Sequence, residues 1–85
     1  MNLVFSPQAW DDYQYWQETD RKVLRRINLL LKDAMRNSSD GIGKPEPLRH
    51  ALAGYWSRRI TDEHRFVYKP TGNQLLIAQL RYHYE

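Results

Sequence analysis

The sequence predicts an α+β domain in which two N-terminal helices pack on a small antiparallel sheet, and three observations lead there. Residues 7 to 35 repeat apolar side chains at helical spacing, with capping residues between two segments. Residues 55 to 81 instead hold short runs suited to a pleated, half-buried surface, separated by turn formers. With 85 residues and no cysteine, one apolar core must serve a single domain spanning residues 1–85.

Leu3, Val4 and Phe5 suit a first strand from Asn2 to Phe5. Ser6-Pro7 then reads as an N-cap followed by proline at the first helical position, where its missing N–H costs nothing. The first helix is expected from about Pro7 to Glu18, with Trp10, Tyr13 and Trp16 on one side. Asp11 and Asp12 fall in its early turns, where carboxylates complement the helix dipole. Thr19 or Asp20 caps a second helix to about Met35, with Val23, Leu24, Ile27, Leu30, Leu31 and Ala34 as its apolar stripe.

The turn-rich segment Asn37 to Pro47 reads as a loop in which Pro45 and Pro47 restrict the backbone around Glu46. A short turn follows from Leu48 to Gly54. The runs Tyr55–Ile60 and Arg65–Lys69 then make a β-hairpin, and a turn at Pro70-Thr71-Gly72-Asn73 leads to a last strand from Gln74 to Arg81. Tight turns between these three strands imply an antiparallel meander.

Residues 1–43 hold six basic and six acidic side chains, so the net charge of +3 belongs to the second half. A basic face on a small domain points to a polyanion or an acidic protein partner. The absence of cysteine excludes a thiolate nucleophile and a Cys-ligated metal, and fits a reducing cytoplasm. No stretch approaches the roughly 20 apolar residues of a membrane span, so a soluble, cytoplasmic, unprocessed protein with no membrane partner is expected.

Three arginines, Arg58, Arg59 and Arg65, lie inside the hairpin strands, where half-buried guanidinium groups need anionic partners. By alternation Ser57 and Arg59 share one face of their strand, and Arg65, Val67 and Lys69 one face of the next. If those faces coincide, Arg59 and Arg65 form a cationic floor, with Arg58 on the other side. Glu46 from the loop and His83-Tyr84 from the chain end would flank it.

Metal-free RNA cleavage needs a base for the 2′-OH, a cation for the charge on phosphorus and an acid for the departing 5′-oxygen. Glu46, Arg65 and His83 fit those roles in that order, and Tyr84 fits phosphate orientation or stacking on a base.

Singly, each residue has a plainer reading. Glu46 alone would be a solvated loop carboxylate, His83 an exposed terminal histidine, and Arg65 a surface partner of Asp62 or Glu63 worth about 0.2–1 kcal/mol. His50 and His64 read as structural or solvent-facing, Trp10, Trp16 and Trp56 as packing residues, and Arg21 to Arg26 as a wet helix face. Three scattered histidines make no metal site, and no cofactor is expected.

Several long motifs carry a family resemblance in order and spacing: Trp10-Asp11-Asp12-Tyr13, Tyr15 to Asp20, Gly43-Lys44-Pro45-Glu46-Pro47-Leu48, Trp56 to Thr61, Glu63-His64-Arg65 and Arg81-Tyr82-His83-Tyr84. Over essentially its whole length the sequence resembles the YoeB toxins of bacterial toxin–antitoxin modules, within the RelE/ParE superfamily. The resemblance implies a microbial-ribonuclease-like fold and an endoribonuclease that cuts mRNA in the ribosomal A site. It also implies a homodimer and a YefM-like antitoxin that neutralises the toxin and, with it, binds operator DNA to repress their operon.

Carried over residue by residue, the resemblance makes Glu46 the base, Arg65 the transition-state arginine, His83 the acid and Tyr84 the terminal tyrosine. Lys44, Arg49 and Arg59 match RNA-binding positions, and Arg81 is grouped with them. Arg49 stands where the family often has lysine, keeping charge but changing geometry. Glu85 extends past the tyrosine that ends the family pattern, and its carboxylate is either an exposed tail or a like charge that weakens phosphate binding and so the strength of the activity. A ParE-like gyrase inhibitor or a purely DNA-binding co-repressor is the rival reading, as is a ribosome-associated basic module without chemistry. None of these needs Glu46, His83 and Tyr84 beside Arg65.

Overall fold

The computed structural model describes residues 1–84, so the expectation attached to Glu85 lies outside the described residues. In chain order it contains β1 (Asn2–Phe5), α1 (Pro7–Thr19), α2 (Arg21–Arg36), β2 (Glu46–Pro47), β3 (Trp56–Arg59), β4 (Arg65–Thr71) and β5 (Gln74–Gln79), with one 3₁₀ turn at His50–Leu52. Among the described residues no helix is long and apolar enough to cross a membrane.

The helix boundaries follow from their caps. Ser6 Oγ accepts from the Ala9 N–H (3.0 Å) and donates to the Ala78 carbonyl (2.8 Å), tying the start of α1 to β5. Asp20 caps α2 by accepting from the Lys22 and Val23 N–H groups at 3.0 and 3.2 Å. A cap of this kind contributes about 1 kcal/mol. The helical stripe buries Ile27, Leu30, Leu31 and Ala34 of α2 with Ala9 and Trp16 of α1. They pack against Phe66, Tyr68, Leu75 and Ile77 of the sheet. Trp10 stands apart at 48% exposed, stacked on Tyr13 and edge-on to Phe5 at the rim.

The sheet order is β1-β5-β4-β3-β2. Its centre is the expected antiparallel meander β3-β4-β5. Two edges enlarge it: β1 joins β5 in parallel, with Leu3 opposite Leu75, and β2 pairs antiparallel with β3. The sheet is therefore mixed: the chain leaves β1, crosses the sheet through the two helices to β2 at the opposite edge, and returns strand by strand to β5 beside β1.

β3 is one residue shorter at each end than the expected Tyr55–Ile60 run, and three further boundaries differ from expectation. The segment expected to be loop throughout ends in β2, because Glu46 and Pro47 pair with Ser57 and Trp56. Pro70 and Thr71 remain in β4, and only Gly72 and Asn73 turn, since Thr71 pairs with Gln74. Pro70 lies beyond Tyr68, the last residue with a β3 partner, where β4 is an edge and tolerates a missing N–H. At the other end β5 stops at Gln79 instead of Arg81. The Leu80 N–H donates to Asp12 Oδ2 (3.0 Å) and Trp16 Nε1 donates to the Leu80 carbonyl (2.8 Å), so α1 takes over where the strand ladder ends.

Arg58 does face the helix side, and it is fully buried there. Its Nη1 pairs with Asp33 Oδ2 (2.6 Å) and also donates to the Ile42 carbonyl. Its Nη2 donates to the Asn37 and Asp40 carbonyls, and its Nε to the Tyr68 hydroxyl. Tyr68 in turn donates to the Ser38 carbonyl (2.6 Å). One guanidinium thus fastens the 37–42 loop to α2 and the sheet. The guanidinium groups of Arg36 and Arg58 and the Ile42 N–H hold the Asp33 carboxyl at about 2, against 3.8 ordinarily.

Candidate active site

The loop after α2 reaches the sheet by passing very close to that helix. A Cβ on Gly41 would lie 1.9 Å from Asp33 Oδ2, and one on Gly43 2.7 Å from Leu30 Cδ2. The Gly43 carbonyl accepts from the Arg59 N–H (2.7 Å), which brings the loop onto the end of β3. Lys44 then takes φ +52, a left-handed conformation uncommon outside glycine and one that recurs at functional sites. Glu46 follows as part of β2, opposite Ser57.

Directly opposed residues of an antiparallel sheet share a face. The pairs Glu46 with Ser57, Ser57 with Val67 and Arg59 with Arg65 therefore put Glu46, Ser57, Arg59 and Arg65 together, away from Phe66 and Tyr68. Arg59 and Arg65 are direct cross-strand neighbours, an arrangement of like charges that is unfavourable by itself. Arg65 is only 8% exposed. Its Nη1 donates to the carbonyls of Thr61, Asp62 and His64 at 2.7, 3.1 and 3.0 Å. Neutral acceptors thus fix the guanidinium without cancelling its charge, and among the described residues no carboxylate pairs with it. The surface pair with Asp62 or Glu63, the plainer reading of Arg65, does not form among the described residues; it is the Asp62 backbone that Arg65 contacts.

His83 and Tyr84 arrive on the tail that leaves β5. Tyr84 Oη donates to Glu46 Oε1 (3.0 Å), closing the far wall of the site. The His83 and Tyr84 rings lie 5.8 Å apart, and His83 is exposed.

Lys44, Glu46, Ser57, Arg59, Arg65, His83 and Tyr84 line one cleft of about 220 Å³. A carboxylate, an imidazole, a phenol and three cations therefore surround one space. Arg49 lies in a second cleft of about 600 Å³ on the other side of Glu46 and Tyr84, which line both. Arg81 is not brought to either: its guanidinium lies 3.6 Å from the Tyr15 ring centre and 4.5 Å from that of Tyr82. Its Nε is buried without a hydrogen-bond partner among the described residues. Among the described residues no group of three or more His, Asp or Glu is placed to hold a metal ion.

Ser57 is the lining residue without an assigned duty in the sequence, although its alternation with Arg59 was legible. Asp12 was expected to complement a helix dipole; it is 2% exposed and anchors the tail instead.

Residues 5–84 match the family model of the YoeB-like toxin of bacterial type II toxin–antitoxin systems. The toxin YoeB of Escherichia coli K12 is 58% identical over 84 residues, covering 99% of this chain and 100% of that protein. Two Staphylococcus aureus structures superpose over 99% of this chain and 98% of theirs at 52% identity: a YoeB dimer with a TM-score of 0.92, and the heterotetrameric YoeB–YefM toxin–antitoxin complex with 0.91.

Proposed function

The chain belongs to the YoeB-like toxins of bacterial type II toxin–antitoxin systems, and on that footing we propose that it is an endoribonuclease cutting mRNA in the ribosomal A site by metal-independent acid–base chemistry. The observation that carries this reading is the convergence of Glu46, Arg65, His83 and Tyr84 on one cleft from β2, β4 and the tail.

Glu46 takes the proton of the 2′-OH, and that oxygen attacks the adjacent phosphorus. Arg65, held in place by three backbone carbonyls, stabilises the charge that builds on the nonbridging oxygens. His83 gives a proton to the departing 5′-oxygen. The products are a 2′,3′-cyclic phosphate and a 5′-OH. Lys44 and Arg59 hold the backbone across the cleft, and Arg49 extends the cationic path beyond Glu46. Tyr84 gives up its hydrogen bond to Glu46 and turns to the phosphate or a base.

The staphylococcal dimer and YoeB–YefM complex support a homodimer and a YefM-like antitoxin for this chain. Neutralisation by that antitoxin, and repression of their operon by the joint complex on operator DNA, complete the proposal. Incubation with programmed ribosomes, followed by mapping of RNA ends, tests it: cuts should fall within the A-site codon. Intact message on ribosomes whose A site is open would rule the reading out.

A further inference from the structure

His83 and Tyr84 follow the end of β5, so no strand pairing sets their position. The chain is instead held at Tyr82. Its N–H donates to His64 Nδ1 at 2.8 Å, and its carbonyl accepts from the Arg65 N–H at 3.0 Å. Two consecutive residues at the start of β4 thus grip both backbone groups of one tail residue. Tyr82 has φ +63, a conformation that L residues rarely adopt and that redirects the chain immediately before His83.

The grip is itself supported. The His64 ring sits edge-on to Trp16, with centroids 4.8 Å apart, and 5.7 Å from Tyr82. The Gln79 amide donates to the carbonyls of Arg81, Tyr82 and His83 at 2.9, 3.3 and 3.3 Å. Since the Tyr82 amide is the donor, His64 Nδ1 must be unprotonated, with the ring hydrogen on Nε2.

Resting on the cleavage reading above, we infer that His64 is a positioning residue: by accepting the Tyr82 N–H it registers the tail, and with it His83, against Arg65. The dipeptide that carries the transition-state guanidinium thereby also sets its distance from the proton donor. Lys44 and Arg59 do not depend on this grip, so losing it should slow the chemical step and leave substrate binding in place.

Two substitutions separate the acceptor from the ring. His64→Phe keeps a ring against Trp16 but removes the acceptor; His64→Asn places its Oδ1 where Nδ1 stands. In single-turnover cleavage on programmed ribosomes His64→Phe should lower the saturating rate constant on the order of 10- to 100-fold, with the half-saturating ribosome concentration changed by about 2-fold or less, as expected for a misplaced catalytic group. His64→Asn should restore most of the rate. Amide hydrogen exchange should show Tyr82 losing protection in His64→Phe and keeping it in His64→Asn.

Wild-type cleavage or wild-type Tyr82 protection in His64→Phe would overturn the inference. Should that variant lose its cooperative thermal transition, His64→Gln replaces it. Its oxygen lies nearer the Nε2 position, so Tyr82 should lose protection there and keep it in His64→Asn; equal protection in the two would again overturn the inference. Failure of the cleavage reading would show separately, as wild-type protein leaving the message intact, and the exchange comparison would still decide the grip.

Discussion

Two adjacent arginines should respond to alanine in opposite ways. Arg58 is fully buried and makes five hydrogen bonds, to Tyr68 Oη, Asp33 Oδ2 and the carbonyls of Ile42, Asn37 and Asp40. Arg58→Ala leaves the Tyr68 hydroxyl and three loop carbonyls without their buried donor, while Asp33 keeps Arg36 and the Ile42 N–H; at about 1 kcal/mol or more for each lost partner, the cost is about 3 kcal/mol or more. A domain of this size holds about 5–15 kcal/mol in total. At about 4 °C or more per kcal/mol, the melting temperature should fall by roughly 12 °C or more.

Arg59 is exposed, and among the described residues its side chain supports no such network. Arg59→Ala should change stability by no more than about 0.5 kcal/mol. Its loss should appear in RNA binding, where removing one phosphate contact lowers the slope of log K against log salt by about 0.7 for a single strand. Urea denaturation and salt-dependent RNA titration of both variants are the assays. An Arg58→Ala protein within about 1 kcal/mol of wild type would refute the role given to the buried network. So would an Arg59→Ala protein as destabilised as Arg58→Ala.

The Asp33 carboxyl, lowered from 3.8 to about 2 by Arg36, Arg58 and the Ile42 N–H, gives acid sensitivity of fixed sign. A group with a depressed folded-state pKa contributes stability that is fully present above its unfolded value and is lost as pH falls through the folded value. Thermal melts should therefore fall between pH 3.8 and about 2, and Asp33→Asn should flatten that part of the profile while lowering stability at neutral pH. Gly43→Ala combines φ +81 with a Cβ 2.7 Å from Leu30 Cδ2. It should cost about 1–3 kcal/mol by denaturant titration, and the displaced loop should reduce cleavage as well.

The local periodicities of the chain carried most of the fold. The α2 stripe repeats every three or four residues, and the core takes up Ile27, Leu30 and Ala34 with no exposure. Alternation also placed Arg59 and Arg65 on one face and Arg58 on the other, because strand side chains alternate regardless of tertiary context. The gathering of Glu46, Arg65, His83 and Tyr84 was legible from the chemistry they offer together and from the family motifs.

What stayed hidden depends on distant partners. Arg58 meets Asp33 across 25 residues of sequence, and Asp12 meets Leu80 across 68. In both networks many acceptors or donors are backbone atoms, which every residue possesses and no pattern distinguishes. The end of β5 was misplaced for the same reason: Leu80 looks like strand until Asp12 and Trp16 claim its backbone. Arg81, grouped with the RNA-binding residues, lines neither cleft, because it sits between Tyr15 and Tyr82 through a contact with α1 that no local pattern reveals.

The central claim is that Glu46 and His83 move the protons of a 2′-OH attack. Its most direct test is single-turnover cleavage on programmed ribosomes by wild type, Glu46→Ala and His83→Ala, with the chemistry of both new RNA ends determined. Wild type should leave a 2′,3′-cyclic phosphate, or its hydrolysed form, and a 5′-OH. Each variant should cut about 10²- to 10⁴-fold more slowly while still binding ribosomes. Undiminished cleavage by either variant, or a 5′-phosphate on the downstream fragment, would contradict the mechanism.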